Sequence, residues 1–484
     1  MSTERTTPLV PALLVGAVAA AILVGVALAK GLQDADFFWH VTAGRLIVEN
    51  GSVPSVDPFS FTWQGQPWTP HEWLSEVVIY LLVSGLGATG AMIAFGMLAG
   101  AIPIVHAYNL ARIGVRTAAI GIALALGVAV MLPYVTVRPQ VLSWLFMAVL
   151  IWLLMSLRPD RPMRLIWLPI LFAVWVNVHG LYVVGFGFIG MYAVFTLLGR
   201  TPMSPRRWLL LSACAGAVLA SMLSPAGPAG LLYPLRYIDA GDWGLANIQE
   251  WQSPDFHNVA HWPFLILILA LIATGSRGAP GWLTALSWVT VAMALVALRN
   301  APVAAVVAMP VLAMGLSERM GLAPIRTPAV ARWRTMLEAV VAGIVIVASL
   351  VILIPRDPGA RTAEAIAEKY PVAALDLLDR EHPGARVLAD YGWGGYTIYR
   401  LHDSGGTVFV DGRNDMYSDE VLDAYSTVRA ADDGWEKVLD DYGVEALLFP
   451  PDAPIVRGIA QDAGWCEAVA DEVQVLLLRD CGGG

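Results

Sequence analysis

The sequence predicts a polytopic α-helical membrane domain followed by a C-terminal soluble α/β domain. Of the 484 residues, 57% are hydrophobic and only 14% are charged. Soluble domains carry about 25% charged residues, so the low charge indicates a membrane protein. The charge also changes sign along the chain, because residues 1–354 carry 19 Lys and Arg against 14 Asp and Glu, whereas residues 355–484 carry 11 against 25. We therefore predict a domain boundary near Pro355.

Long apolar runs predict about eleven membrane spans. Several of these runs are shorter than the ~20 residues that an upright span requires. Residues 73–86 are also apolar, but they are short and carry Glu76, so we predict a helix that lies in the membrane interface or packs at the mouth of the bundle, and not a twelfth span. The predicted spans are 9–30, 88–111, 117–133, 139–157, 165–178, 181–199, 207–223, 262–275, 282–298, 301–316 and 336–354.

The distribution of positive charge predicts the orientation of these spans. With a cytoplasmic N-terminus, fourteen Arg residues of the membrane part face the cytoplasm and only five Lys or Arg face outwards. Cytoplasmic loops carry such an excess, and a span at 73–86 would destroy it. The protein is therefore expected in the plasma membrane, with its tail outside the cytoplasm. The five outward positive charges are Lys30, Arg45, Arg138, Arg236 and Arg299.

The tail, from residue 355 onwards, is predicted to form a small α/β domain. A predicted helix at 361–382 precedes strands at 386–389, 407–410 and 446–449, with helices between 418 and 442 and at 454–463, and a hairpin at 465–479. Its acidic charge argues against nucleic-acid binding, which requires excess Lys and Arg. Cys466 and Cys481 lie at the two ends of the hairpin and either form a disulfide or remain two thiols.

Residues 31–87 form a predicted outer loop that is too long for a simple connector. Loops of this length are usually functional or disordered, and the many aromatic residues here argue against disorder. Its first part is predicted to be a short amphipathic helix, with Phe38 among the residues available to the membrane. We predict that this loop holds the active site.

Asp34 and Asp36 are the leading candidates in this loop. Two carboxylates beside a membrane span can bind a divalent cation such as Mg²⁺ or Mn²⁺, or one can act as a general base. The simpler interpretation is an acidic helix start, where Asp is favoured. Ionisable groups at bilayer level are costly and usually functional, which favours a chemical role.

The remaining candidates are polar residues that the topology places outside. His40, His71 and Glu72 position a substrate, complete a metal site or hold the loop together by hydrogen bonds. Arg138 and Arg299 are suited to phosphate, which Arg binds through two hydrogen bonds, although isolated interfacial Arg often only extends to the membrane surface. Asn177 and His179 either bind a sugar or phosphate or cap a helix end.

Several motifs together resemble one group of membrane enzymes. They are Asp-x-Asp-x-x-Trp-His (34–40), HEWLSE (71–76), VRPQ (137–140), NVHG (177–180), EWQSPDF (250–256), RNAP (299–302) and VDGRNDMY (410–417). This pattern covers nearly the whole chain and resembles the GT-C superfamily of integral membrane glycosyltransferases, within a broad bacterial group.

The resemblance implies an enzyme that takes a sugar from a polyprenyl-phosphate donor and transfers it, with inversion, to an outer-face acceptor. It also implies a catalytic Asp in the first loop. By its distance to the following Gly44-Arg45, Asp36 matches that residue better than Asp34 does. The implied partners are a lipid-linked donor, membrane lipid and an acceptor that is a glycan, lipid or protein of the cell envelope. The alternatives are a non-catalytic scaffold or export component and, less favoured because the spans lack mid-membrane charges, a transporter.

Overall fold

A computed structural model describes residues 9–201, 205–233, 242–275, 277–321, 328–459 and 464–479. The chain forms two compact units. The first unit comprises Met1–Ala29, Gly90–Leu231 and Ile248–Pro358, and the second comprises Lys30–Thr89, Leu232–Asn247 and Gly359–Gly484. The boundary predicted near Pro355 remains a prediction of domain organisation.

The elements follow one another along the chain as twenty helices and five strands within the described residues. The helices are α1 (Leu9–Lys30), α2 (Ala35–Asn50), α3 (Trp73–Arg112), α4 (Thr117–Met131), α5 (Gln140–Met155), α6 (Trp167–Trp175), α7 (Tyr182–Leu197), α8 (Arg207–Ala220), α9 (Pro228–Leu232), α10 (Asp242–Asn247), α11 (Trp262–Thr274), α12 (Gly281–Val296), α13 (Ala301–Arg319), α14 (Pro328–Leu353), α15 (Pro358–Lys369), α16 (Val372–Glu381), α17 (Gly394–Leu401), α18 (Asp419–Ala430), α19 (Trp435–Asp441) and α20 (Pro454–Ile459). The strands are β1 (Arg386–Ala389), β2 (Thr407–Val408), β3 (Ala446–Phe449), β4 (Trp465–Ala470) and β5 (Val475–Arg479).

The described residues contain eleven apolar helical segments, as the sequence predicts. Five are long and apolar enough to cross a membrane, and six shorter apolar helices accompany them. The five are Leu9–Lys30, Trp73–Arg112, Thr117–Tyr134, Leu298–Arg319 and Met336–Leu353. The predicted helical multi-pass membrane protein is therefore confirmed.

The core of the first unit is α13. All its residues from Ala301 to Gly315 are buried, and the helix packs against α4, α5, α11 and α12. Small residues allow close helix approach elsewhere in this unit: a β-carbon on Gly16 would lie 3.1 Å from the Ile104 Cα, and one on Gly100 would lie 2.8 Å from the Ala20 Cβ. Such contacts replace the hydrophobic driving force that is absent between helices in lipid.

Residues 73–86 are helical but join the next span as one 40-residue helix, α3, whose backbone leaves helical geometry at Gly87 (φ 71°, ψ 173°). The break requires glycine, because its positive φ is unfavourable for residues with a β-carbon. The expected separate helix is thus marked by a break in the backbone and not by a connecting loop. Its position in the membrane interface remains a prediction.

The second unit contains a five-stranded mixed sheet in the order β2-β1-β3-β5-β4. Strand β1 is parallel to both β2 and β3, while β5 is antiparallel to β3 and β4. Strands β1 and β3 occupy the predicted ranges 386–389 and 446–449. The helix expected at 361–382 is instead α15 and α16, because Pro371 separates them and cannot donate an interior helical hydrogen bond.

The predicted outer loop packs on the tail within the second unit. Phe61 donates its backbone N–H to the Val408 carbonyl over 3.1 Å, and Val408 donates to the Phe59 carbonyl over 3.1 Å. Phe38 was expected to face the membrane, and this expectation is wrong, because its ring lies 5.0 Å from Tyr370 and 4.6 Å from Tyr396. Phe38 is therefore buried against aromatic residues of the tail and does not face lipid.

The cysteines differ in state. Cys466 in β4 is disulfide-bonded, whereas Cys214 is a thiol. The predicted partner Cys481 lies outside the described residues.

Candidate functional site

Asp34 and Asp36 have different roles at the start of α2. Asp34 is the N-cap residue, and its Oδ1 accepts the backbone N–H of Asp36 over 3.0 Å. Its side chain therefore satisfies one of the donors that every helix leaves unpaired at its first turn. Asp36 lies within that first turn, where the helix dipole favours a carboxylate. The structural interpretation thus fits Asp34, and Asp36 is the stronger candidate for chemistry.

The Asp36 carboxylate is held between its own helix and a turn of the tail. The Trp39 indole Nε1–H donates to Oδ1 of Asp36 over 3.3 Å. A β-carbon on Gly412 would collide with the same Oδ1, so this approach requires glycine. Gly395 provides a second close approach, since a β-carbon there would lie 2.5 Å from the Ala35 carbonyl oxygen. Sequence reasoning assigned neither glycine to the site; they lie in the two glycine-containing motifs YGWGGY (391–396) and DGRNDMY (411–417).

The turn that carries Gly412 is fixed by Arg413, which is 2% exposed. Its guanidinium donates to Asp57 Oδ1 over 2.8 Å, to Asp411 Oδ2 over 2.6 Å and to Asp411 Oδ1 over 2.7 Å. The same group lies 4.9 Å from the Phe59 ring centroid and 4.7 Å from that of Trp68. The turn DGRNDMY (411–417) is thus paired internally through Asp411 and Arg413, and Asp57 is a partner that sequence reasoning missed.

The charge state of this cluster follows from its contacts. Burial alone would raise the pKa of Asp411, but the charge and hydrogen bonds of Arg413 outweigh that effect and keep this pKa below its ordinary value. Burial likewise opposes the charge of Arg413, yet Asp411 and Asp57 raise its pKa further above the usual value. The Arg413 guanidinium and the Asp411 carboxylate therefore remain ionised near neutral pH.

His40, His71 and Glu72 lie together, as a shared site requires. His40 Nε2 lies 3.7 Å from Glu72 Oε2, and His40 Nδ1 lies 3.6 Å from Glu76 Oε1. His71 Nε2 lies 3.6 Å from Glu72 Oε1. Because His40 follows Asp36 by four residues in α2, the two side chains lie on one face of that helix.

Two further residues extend this group. The His71 ring packs on Tyr233 with 4.6 Å between centroids, and the Tyr233 hydroxyl donates to the Asp415 carboxylate. Burial lowers the pKa of His71 to about 4 and raises the pKa of Asp415 to about 6. His71 is therefore a neutral imidazole at pH 7. Neither Tyr233 nor Asp415 has a sequence signal that links it to His71.

A cation site at Asp34 and Asp36 has no third protein ligand among the described His, Cys, Asp and Glu residues. Within the described ranges, no group of three or more His, Cys, Asp or Glu side chains is arranged to hold a metal ion. One oxygen of Asp34 also serves as the α2 cap. Asp34 and Asp36 therefore do not belong to a cage of three or more such ligands in the described residues, and the binding of a divalent cation stays a prediction.

In the first unit, Arg138 and Arg299 lie against consecutive residues of one 3₁₀ turn, Gln249–Trp251. Arg138 NH1 donates to Glu250 Oε2 over 3.2 Å. The Arg299 guanidinium lies 4.8 Å from the Trp251 ring centroid. The structure thus brings together the VRPQ, EWQSPDF and RNAP motifs, as a common binding surface requires.

Asn177 and His179 serve local structure in the same unit. Asn177 Nδ2 donates to the carbonyls of Ala173 over 2.8 Å and Leu223 over 2.9 Å. His179 Nδ1 lies 3.3 Å from Ser143 Oγ and accepts the Leu181 N–H over 3.1 Å. These contacts match the helix-end interpretation, and a role in substrate binding remains a prediction.

Comparisons with known proteins give a likeness in fold. No family model matches the sequence, and no curated protein sequence matches it. Among solved structures, ArnT from Cupriavidus metallidurans bound to undecaprenyl phosphate is similar with a TM-score of 0.55 and 13% identity, over 95% of this chain and 96% of that chain.

Two structures of the Archaeoglobus fulgidus oligosaccharyltransferase are also similar. AglB in complex with an inhibitory peptide and a dolichol-phosphate has a TM-score of 0.54 and 11% identity, over 90% of this chain and 69% of that chain. The apo form has a TM-score of 0.53 and 11% identity, over 89% and 69%. The expected architecture is confirmed: the chain is a helical membrane protein with a GT-C-like fold.

Proposed function

We propose that this protein is an integral membrane glycosyltransferase that moves a sugar from a polyprenyl-phosphate-linked donor to an acceptor on the outer face of the membrane. The observation that carries the proposal is the similarity to ArnT, whose structure contains undecaprenyl phosphate, over 95% of this chain. At this coverage the likeness takes in most of the apolar helices and most of the tail. The AglB structure, which contains a dolichol-phosphate, supports the same class of donor.

Asp36 is the proposed general base. It removes the proton from the acceptor hydroxyl while that oxygen attacks the anomeric carbon of the donor sugar. The bond from this carbon to the phosphate oxygen breaks, and the electron pair leaves with polyprenyl phosphate. Direct displacement inverts the anomeric configuration. The Trp39 hydrogen bond supports the role, because it orients the carboxylate for proton transfer.

We assign each of the other candidate site residues a role within its own unit. Asp34 positions the first turn of α2 through its cap. His40, His71 and Glu72 bind substrate hydroxyls in the second unit. Arg138 and Arg299 bind the phosphate of the lipid, because guanidinium groups stabilise the charge that accumulates on a leaving phosphate. Asn177 and His179 support this phosphate-binding surface by fixing the end of α6.

The proposal is tested with purified protein and lipid-linked sugars extracted from membranes of the producing cells. Release of polyprenyl phosphate, measured by mass spectrometry, reports transfer. Asp36→Asn should lower the rate by about 10²–10⁴-fold, since general-base catalysis contributes about this much. Glu49→Gln is the matched control, because Glu49 is an exposed carboxylate on the same helix, and it should retain the wild-type rate.

Two results would contradict the proposal. If a folded Asp36→Asn variant releases polyprenyl phosphate at the wild-type rate and Asp34→Asn loses most of that rate, the general base is Asp34 and not Asp36. No release by the folded wild-type protein from any extract would favour the non-catalytic scaffold.

A further inference from the structure

A cavity of about 530 Å³ lies in the second unit, and none of the proposed catalytic or substrate-binding residues lines it. This volume falls within the range of small-ligand sites, about 300–1,000 Å³. The side chains that define it come from three places in the sequence: Trp243 and Asn247 in α10, Asp390 and Tyr391 after β1, and Tyr425 and Arg429 in α18.

The cavity lies where this sheet topology favours a ligand. Strand β1 has β2 on one side and β3 on the other, and it is parallel to both. The chain therefore leaves β1 towards one neighbour and later returns on the opposite side. Ligands of open α/β sheets bind at such a switch point, beyond the carboxyl ends of the strands. Asp390 directly follows the last residue of β1.

Three aromatic rings form one wall. Trp243 lies 5.4 Å from Tyr391 and 6.3 Å from Tyr425, measured between ring centroids. The Trp243 indole N–H donates to Ser426 Oγ over 2.7 Å, and the Tyr391 backbone N–H donates to the Tyr425 hydroxyl over 2.7 Å. These bonds fix the wall before a ligand arrives, which lowers the entropic cost of binding.

The polar groups of the cavity select against an anion. Asp390 Oδ1 accepts the Gly392 N–H over 3.0 Å, and Asp390 Oδ2 lies 3.6 Å from Arg429 Nε. Asp432 adds a second carboxylate to the lining. Two carboxylates outnumber one guanidinium, so a phosphate would be repelled. Fixed carboxylate and amide groups beside aromatic faces instead suit a neutral ligand with many hydroxyls.

We propose that this cavity binds a neutral pyranose. Its C–H face packs on Tyr391 and Trp243, and its hydroxyls bind Asp390 and Asn247. The identification of this pyranose as part of the acceptor glycan rests on the proposed function, whereas the binding itself does not. The motif YGWGGY thus supplies a recognition surface separate from the residues assigned to catalysis.

The test uses the full chain in phosphatidylcholine nanodiscs, because maltoside detergents would themselves present a sugar. Saturation-transfer NMR is recorded with cellobiose, lactose, mannobiose and N,N′-diacetylchitobiose. At least one disaccharide should give signals on its ring C–H protons. Tyr391→Ala should weaken binding about tenfold or more, as loss of a central aromatic contact does. Tyr399→Ala is the matched control, since Tyr399 is 44% exposed and does not line the cavity.

Further variants separate the possible failures. Asp390→Asn keeps an oxygen for the Gly392 N–H but loses the charge, so it repeats the test should Tyr391→Ala not fold, with the same expected weakening. Asp36→Asn should bind the disaccharide as the wild type does, even though it blocks the proposed transfer. Absence of signal from all four sugars, or signals that survive both Tyr391→Ala and Asp390→Asn, would overturn the inference.

Discussion

The carboxylate of Asp36 fills the space that a side chain at residue 412 would occupy, so the close packing of Asp36 on Gly412 depends on the missing β-carbon. Gly412 is not among the residues with positive φ. Glycine is therefore needed at position 412 because there is no space for a β-carbon, and not because of the backbone conformation. This relationship makes the position of the proposed base depend on a residue of the tail.

Gly412→Ala should displace Asp36 without unfolding the protein. The added methyl group fits the backbone conformation but collides with Oδ1, so the carboxylate must move. A shift of about 1 Å in a reacting group lowers rates by about 10²-fold, and we expect a loss of this size in polyprenyl phosphate release. Gly85→Ala is the control, because Gly85 has open space around its β-carbon position. Full activity of folded Gly412→Ala would remove the link between this contact and catalysis.

Arg413→Ala should strongly destabilise the second unit. The change leaves the carboxylates of Asp57 and Asp411 buried without their cation, which typically costs about 3–5 kcal/mol. Thermal and denaturant unfolding followed by tryptophan fluorescence measures the loss. Lys437→Ala is the control, since its ion pair with Asp441 is exposed and should contribute about 0.5 kcal/mol or less. A loss below about 1 kcal/mol for Arg413→Ala would contradict the structural role.

Asp415→Asn should stabilise the protein at high pH. Burial raises the pKa of Asp415 to about 6, so its native state holds a proton that the unfolded state releases above pH 4. The contribution of Asp415 to the stability of the wild type therefore falls as the pH rises from about 4 to 6. Asparagine still accepts the Tyr233 hydrogen bond and has no charge to bury. We expect a gain of about 3 kcal/mol at pH 8, which vanishes near pH 4.

In Asp415→Asn, the effect of His71 on the pH dependence of stability should become measurable. This effect has the opposite sign to that of Asp415. Burial lowers the pKa of His71 to about 4, so the unfolded state takes up a proton below pH 6.5 that the native state excludes. Stability therefore falls as the pH decreases from about 6.5 to 4. In Asp415→Asn this decline is no longer offset by Asp415. Unfolding curves at pH 4, 5, 6 and 7 test the slope, and a flat profile would contradict it.

Arg299→Ala should raise the KM for the lipid donor by about 10–100-fold, because a hydrogen bond to a charged group contributes about 1.5–3 kcal/mol. Arg299→Lys should recover only part of the affinity, since lysine lacks the planar group that packs on Trp251. The exposed Arg277 supplies the control variant, Arg277→Ala, which should leave KM unchanged. A change in kcat alone, with KM constant, would exclude this role for Arg299.

Features that depend on local sequence could be predicted closely. Strands β1 and β3 were located to the residue, because short apolar runs between turn residues define them. The apolar helices followed from composition alone. Asp57 and Arg413, in contrast, are 356 positions apart, and Tyr233 and Asp415 are 182 apart. Their pairing depends on the tertiary fold, and no local periodicity reports it.

The candidate site shows the same division. The sequence identified Asp34, Asp36, His40, His71 and Glu72 because they are polar residues close together in one loop. The resemblance favoured Asp36 over Asp34, but it did not assign the cap of α2 to Asp34, because that assignment requires the backbone geometry of the helix. The role of Gly412 could not be predicted either, since it depends on the Asp36 carboxylate that packs against it in the folded structure.

The cage around Arg413 has a consequence for biosynthesis. Asp57, Phe59 and Trp68 emerge from the ribosome more than three hundred residues before the guanidinium that they surround. The loop 31–87 therefore lacks its final partners until the tail has been translated and has reached the same compartment. Chains that terminate before Arg413, or tails expressed as detached fragments, would lack half of this assembly, so the turn that carries Gly412 can be fixed only after Arg413 has been synthesised.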